Sequence, residues 1–179
     1  MANRQAIRDL QTRLAERLQI ARTQGVAPSW LAVEASGQKY LFPMTQAGEI
    51  FPWVATQTVP YTQSWFLGVS NLRGGLFGVV DLASFVTGQA LAVKTEFARK
   101  ESRLIALNSA LEVNCALLVD RLSGLRNQEA FSDFAEKSPD GPAFFGNRYI
   151  DMAGQTWQEI NLQMLAQQAH FLTISAQSL

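Results

Sequence analysis

The most informative segment is residues 65–82, which read WFLGVSNLRGGLFGVVDL. Apolar residues flank a polar turn, and this pattern predicts a strand, a tight turn and a second strand. Asn71 suits the turn because its side chain can bond nearby backbone, and Gly74 can take a positive φ. Asp81 follows the second apolar run, where it can cap a short helix. The turn also carries Arg73, whose planar fork can bind a carboxylate.

Short apolar runs continue on both sides of this segment. The predicted strands are Trp30–Glu34, Gln38–Met44, Ile50–Val54, Phe66–Ser70, Leu76–Val80, Arg103–Ser109, Glu112–Val119, Leu122–Gln128, Phe144–Met152 and Gln155–Ile160. The predicted intervening elements are a helical turn over Leu82–Val86, a connector over residues 89–101, an exposed loop over Glu129–Pro142 and a closing helix over Leu162–Leu172. So many short strands indicate barrels or a sandwich rather than βαβ units.

The first 25 residues differ from the rest of the chain. The apolar residues within 3–23 recur at helical spacing and form one stripe: Ile7, Leu10, Leu14, Leu18 and Ala21. Gly25 and Pro28 end this pattern, so residues 1–25 are predicted to form an amphipathic helix. The segment carries five arginines and two acids, which leaves it basic. Its stripe has three possible partners, namely the same domain, another protein or a membrane surface.

Composition excludes several classes of protein. The chain has 179 residues, with 15 Lys and Arg against 15 Asp and Glu, and 47% hydrophobic residues. A highly charged disordered chain is excluded, and a nucleic-acid binder with a strong positive field is disfavoured. The single cysteine excludes an intramolecular disulfide. The absence of a signal-peptide pattern or a long apolar run predicts a cytoplasmic protein without membrane insertion.

One region has almost no charge. Between Lys39 and Arg73 the only charged side chain is Glu49, whereas aromatic residues are frequent. Two interpretations fit this composition. Either the rings fill a β core, or some of them form an uncharged contact surface.

The sequence offers little for catalysis. His170, the only histidine, lies in the predicted closing helix, and Cys115 lies in an alternating strand that favours burial. One His and one Cys cannot form a common zinc site, and the glycines near residue 74 match no phosphate-binding motif. We therefore predict no catalytic or metal-binding residues and no cofactor. The alternatives are a small-ligand-binding or enzymatic β-barrel, and a nucleic-acid-binding barrel suggested by the N-terminal arginines.

The turn segment closely resembles the signature of the CheW family of chemotaxis coupling proteins. The matching residues are Gly68-Val69-Ser70-Asn71-Leu72-Arg73-Gly74 and Val79-Val80-Asp81-Leu82. Weaker similarity extends over residues 29–173, including Ala47-Gly48-Glu49-Ile50, Arg103–Leu107 and Ala116–Asp120. The sequence departs from the family at Gly78, where a proline is usual. The long N-terminal segment is more similar to the adaptor of pilus-linked chemosensory systems.

The resemblance implies a fold and a role. The implied fold is mainly β, with two SH3-like five-stranded β-barrel subdomains over about 29–88 and 102–160, an N-terminal helix and a short C-terminal helix at about 162–172. The implied role is that of a non-catalytic adaptor. It would couple the cytoplasmic tip of a methyl-accepting chemoreceptor to the regulatory domain of a CheA-type histidine kinase, at receptor arrays on the inner face of the membrane.

The resemblance also assigns candidate contact residues. The main candidates for kinase and receptor contact are Glu49, Gly68, Asn71, Arg73 and Gly74, with Ala47 and Ile50 as weaker additions. Structural alternatives remain for each. Arg73 can pair with Glu49 inside a barrel, Gly68 can be required by the backbone, and Asn71 and Gly74 can serve the turn. Gly75 and Asp81 are assigned to the turn and to the helix cap.

Overall fold

A computed structural model describes residues 29–90 and 99–176 of the chain. The predicted N-terminal helix over residues 1–25 lies outside these described residues. The described part is mainly β, as predicted, and its helices are short.

The strands and helices follow the chain in this order. The strands are β1 (Trp30–Ala35), β2 (Gln38–Pro43), β3 (Ala47–Pro52), β4 (Phe66–Leu72), β5 (Gly75–Asp81), β6 (Arg103–Leu107), β7 (Cys115–Val119), β8 (Arg121–Arg126), β9 (Phe131–Ala135), β10 (Phe145–Asp151) and β11 (Thr156–Ile160). The helices are α1 (Leu82–Thr87), α2 (Leu162–Ala166) and α3 (Ala169–Leu172), with single 3₁₀ turns at Ser109–Leu111 and Gln128–Ala130.

The strands form two mixed sheets. The first sheet has the order β8-β1-β2-β11-β10-β9, and the second has the order β3-β6-β7-β5-β4. One pair in each sheet is parallel, β2 with β11 and β5 with β7, and the remaining pairs are antiparallel. Each sheet takes strands from both halves of the chain. The sheets therefore do not divide between the predicted subdomain ranges 29–88 and 102–160.

Both sheets are curled, but the predicted closed barrels are wrong. In the second sheet the rings of Phe51 on β3 and Phe77 on β5 lie 6.5 Å apart, although two strands separate them. In the first sheet Trp30 on β1 contacts Phe131 on β9 in the same way, at 5.9 Å. Among the strands of residues 29–90 and 99–176, the edge strands do not pair with each other, so each sheet keeps two edges there.

Burial on both faces of the strands explains the curling. In β1, Leu31 and Val33 belong to a large core that also includes residues of the second sheet and the helices, whereas Ala32 points into a small core within the first sheet. Successive strand residues face opposite sides, so a strand between two cores is apolar throughout. The second sheet encloses a comparable small core of its own, which includes Leu104 and Leu118.

Several element boundaries differ from the sequence predictions, and three of the differences have a structural reason. Strand β9 lies inside the predicted loop Glu129–Pro142, and residues 132–135 of this edge strand are exposed, so they carry little apolar pattern. Strand β7 begins at Cys115 rather than Glu112, because the backbone at Glu112 has a positive φ. The predicted closing helix is two short helices, since Gln168 has an extended backbone conformation.

A partly buried carboxylate ties the β1–β2 hairpin to β8. Glu34 is bound by Lys39 at 2.9 Å, by Arg121 at 2.7 Å and by the hydroxyl of Ser123 at 2.9 Å. Its side chain is only 15% exposed. Burial acts to raise the pKa of Glu34, but the three hydrogen-bonded partners outweigh burial and lower it to about 2.

We expect the Glu34→Gln variant to lose about 2 kcal/mol of unfolding free energy at pH 7. The folded pKa lies below the unfolded value of 4.5. The stabilisation from Glu34 is therefore complete above pH 4.5, and it is lost as the pH falls towards 2. Urea denaturation of both proteins between pH 7 and pH 2.5 measures this difference. Glu129→Gln, at an exposed position, is the control and should cost little at any pH. If the loss of unfolding free energy in Glu34→Gln did not change with pH, the lowered pKa of Glu34 would be contradicted.

Candidate functional site

The turn between β4 and β5 is fixed by its backbone. Arg73 and Gly74 have φ values of 49° and 84°, and Leu72 pairs with Gly75 across them. Positive φ at both central residues is typical of the type I′ hairpin turn. The side-chain oxygen of Asn71 accepts a 2.8 Å hydrogen bond from the backbone N–H of Gly74. Asn71 and Gly74 therefore form the turn that presents Arg73.

A bulge in β3 exposes the acidic partner of this turn. Gly48 and Glu49 together face one residue of β6. A Cβ atom at Gly48 would lie 2.8 Å from the carbonyl oxygen of Leu107, so this close approach of two backbones favours glycine. Glu49 and Ile50 are both exposed as a result, whereas regular alternation would bury one of them.

The two elements meet in an ion pair. Arg73 Nη1 lies 2.5 Å from Glu49 Oε1, and the side chains remain 77% and 43% exposed. Exposed pairs contribute little to stability, typically about 0–1 kcal/mol. Two exposed apolar residues follow the paired residues along the chain, namely Ile50 after Glu49 on β3 and the 64% exposed Leu76 after the turn on β5. We call Glu49, Ile50, Arg73 and Leu76 the hairpin surface.

Apolar residues pack beside the ion pair. Phe51 and Phe77, together with Leu72, line a shallow depression between β3 and the hairpin. Phe51 and Leu72 are buried in the small core of the second sheet, and Phe77 packs against that core. Glu49 and the turn that carries Arg73 therefore lie next to packed apolar residues of the second sheet.

Gly68 does not belong to the hairpin surface. It is buried, and its φ is 129°. A Cβ atom there would overlap the backbone carbonyl of Gln57. Gln57 exchanges two backbone hydrogen bonds with Val69, of 2.8 and 2.9 Å, and so holds the chain against β4. The backbone geometry therefore explains why position 68 is glycine, and the buried residue is not accessible to a partner.

The remaining candidates also have structural positions. A carboxylate oxygen of Asp81 accepts the N–H of Ser84 at 2.9 Å and caps α1. Gly75 begins β5, where a Cβ atom would approach the Phe77 ring at 2.9 Å. Ala47 is half-buried at the start of β3. The structure therefore brings Glu49 and Arg73 together at the surface, leaves Ile50 exposed beside Glu49 in the sequence, and gives Gly68 and Asp81 structural positions.

Sequence reasoning did not single out Gly48 or Leu76. The bulge at Gly48 depends on pairing with β6, which lies more than 50 residues later in the chain. Leu76 follows the turn in a run of apolar residues, and nothing in that run marks it as exposed. The only available signal was its position beside the hairpin turn.

The two reactive side chains outside this surface have structural positions. Cys115 is buried, and burial raises the pKa of its thiol to about 12, which keeps it protonated. His170 is exposed and stacks on Phe85 at 5.5 Å. Among residues 29–90 and 99–176, no cluster of His, Cys, Asp and Glu is able to hold a metal ion. Within the same ranges, no helix has the length and apolar character needed to cross a bilayer.

The described residues form a β-sheet scaffold of two curled sheets, in which the β4–β5 hairpin carries an exposed ion pair with β3. This chain belongs to the CheW-like domain family, whose family model matches residues 29–169. The resemblance found in the sequence is thereby confirmed. Membership of this family of non-catalytic adaptors also confirms the prediction that the protein is not an enzyme.

Two relatives illustrate the similarity. Protein PilI of Pseudomonas aeruginosa is 26% identical over 159 residues, which cover 85% of this chain and 84% of PilI. The crystal structure of the scaffolding protein TtCheW from Thermoanaerobacter tengcongensis matches with a TM-score of 0.61 and 19% identity. That match covers 86% of this chain and 98% of TtCheW, and it supports the fold.

Proposed function

We propose that this protein couples chemoreceptors to a CheA-type histidine kinase in a pilus-linked chemosensory system that controls twitching motility. It binds the regulatory domain of the kinase and the cytoplasmic tip of a methyl-accepting chemoreceptor. It acts in the cytoplasm and is recruited to receptor arrays at the inner face of the membrane. The observation that carries the proposal is the hairpin surface, in which Arg73 and Glu49 are exposed next to packed apolar residues.

The geometry of this surface suits protein recognition. Arginine is enriched among residues that dominate binding energy, and apolar neighbours exclude water around such residues. The Arg73 side chain is 77% exposed, and Ile50 and Leu76 add exposed apolar area on β3 and β5. The fixed type I′ turn means that little conformational freedom is lost on binding.

Coupling by such a protein requires only differential affinity. If the receptor and the kinase bind the adaptor together, a receptor state that changes its own contact with the adaptor also changes the affinity for the kinase. This mechanism needs no covalent chemistry and no cofactor. The similarity to PilI supports assignment to a pilus-linked system rather than to one that controls swimming.

Binding measurements test the proposal directly. Isothermal titration of the full chain with the regulatory domain of a pilus-linked CheA-type kinase should give a dissociation constant of about 10 μM or tighter, in the range of transient signalling complexes. The regulatory domain of a flagellar kinase is the comparison and should bind more weakly. The absence of binding to either kinase would refute the adaptor role, and stronger binding to the flagellar kinase would refute the pilus assignment.

A further inference from the structure

Two exposed apolar side chains lie near opposite ends of the outer edge of the first sheet, and we call this edge the patch. Phe134, opposite Tyr149 on the edge strand β9, is 55% exposed, and Met152, in the β10–β11 turn beyond the Phe131 end of β9, is 72% exposed. A bulge in β9 lets both Phe131 and Phe134 contact Tyr149, with ring centroids 5.1 and 6.2 Å away. Phe131, Tyr149 and Phe134 therefore form an aromatic cluster, which Trp30 covers at the Phe131 end and which is exposed at Phe134.

Acidic residues are frequent in β9 and in the chain on either side of it. The run from 129 to 140 contains four acids, Glu129, Asp133, Glu136 and Asp140, against the single base Lys137. All four acids are exposed, and none forms an ion pair with another residue in the described ranges. The run has a net charge of about −3, so it favours a basic partner.

The described chain begins beside the same patch. The N–H of Ser29 donates a 2.9 Å hydrogen bond to the carbonyl of Arg126, which fixes where the chain enters the first sheet. The next residue, Trp30, contacts Phe131, the first residue of β9, at 5.9 Å. Residues 1–28 are therefore attached to the fold at the covered end of the aromatic cluster.

The sequence of the N-terminal segment complements the patch in charge and in apolar character. Residues 1–22 contain five arginines, one aspartate and one glutamate, a net charge of about +3, and one apolar stripe. A helix over residues 3–23 would be roughly 30 Å long, and five-residue β9 spans roughly 17 Å. The segment is thus long enough to cover β9 from its point of attachment.

We propose that residues 1–25 dock on this acidic edge of their own domain. The apolar stripe then covers Phe134 and Met152, and the arginines lie beside the carboxylates of β9 and its flanking residues. In this arrangement the chain covers an edge strand that would otherwise be open to pairing with other chains. The hairpin surface lies on the other sheet, so docking leaves it free.

Paramagnetic labelling of the full-length protein tests this arrangement. A nitroxide label on Ala153→Cys, next to Met152, should broaden NMR amide signals from residues 1–25. The same label on Leu76→Cys, in the second sheet, is the matched control and should affect those signals severalfold less. The native Cys115 is buried and should not take up label. Equal broadening from both positions, or stronger broadening from Leu76→Cys, would overturn the proposal.

Charge reversal tests whether electrostatic attraction guides the docking. The pair Arg13→Glu and Arg17→Glu should abolish the broadening from the Ala153 label, and adding Asp133→Arg and Glu136→Arg should restore it. Failure of the restored variant to recover broadening, while its fold is intact by its amide spectrum, would count against charge-guided docking.

A mixture of nitroxide-labelled chain and isotope-labelled chain tests for a contact between copies. Broadening in that mixture as strong as within one chain would overturn docking in cis.

Discussion

Gly68→Ala is expected to lower the unfolding free energy by roughly 4 kcal/mol, which is a large effect for a single methyl group. Alanine at this position must adopt a φ of 129°, and its Cβ atom would overlap the carbonyl of Gln57. The two backbone hydrogen bonds between Gln57 and Val69 would have to lengthen or break. Thermal denaturation should show a midpoint lower by on the order of 10 °C.

Gly37→Ala is the matched control. Gly37 also has a positive φ, 76°, but no atom lies within 4 Å of a Cβ placed there. Its substitution should cost only the conformational penalty, about 1 kcal/mol. Equal losses for the two variants would mean that the overlap with Gln57 relaxes freely, and the structural account of Gly68 would then be wrong.

Arg73→Glu is expected to weaken binding to the kinase regulatory domain by roughly 30-fold, which corresponds to about 2 kcal/mol. The variant places a second acid beside Glu49 and removes the exposed guanidinium from the hairpin surface. Stability should change by about 1 kcal/mol or less, because the pair is exposed. Titration calorimetry measures the affinity, and urea denaturation checks that the variant unfolds cooperatively.

The double variant Arg73→Glu with Glu49→Arg distinguishes recognition from a purely structural pair. It restores an ion pair between β3 and the hairpin but reverses its polarity. If the pair served only the fold, the double variant would bind like the wild type. We expect that affinity stays low, because the partner meets the wrong charge at each position. Arg148→Glu, an exposed reversal in the first sheet, is the control for net charge and should bind normally.

The sequence predicted the fold class and most strands because their apolar patterns were strong. It failed at β9, where four of the five residues are exposed and the strand is identified only by its pairing with β10. The arrangement of the sheets was equally hidden. Tyr40 pairs with Gln158 in an arrangement that buries both faces of β2, and no local sequence pattern specifies this pairing.

The candidate site was partly predictable. The turn-forming roles of Asn71 and Gly74 follow from their residue types, and the charges of Glu49 and Arg73 made their pairing conceivable. The bulge that exposes Glu49 was not predictable, because it results from the register of β3 against β6. The overlap that requires glycine at position 68 was hidden for a similar reason, since Gln57 meets β4 outside any regular strand.

The parallel pairing of β2 with β11 has a consequence for synthesis in the cell. Tyr40 leaves the ribosome roughly 120 residues before Gln158, its partner in the first sheet. At about 5–20 residues per second, the nascent β1–β2 hairpin waits roughly 6–24 s before that neighbour is made. During this interval the hairpin face that packs on Tyr149 and Trp157 has no native cover, so this face is open to aggregation, and to chaperone binding, until β10 and β11 are translated.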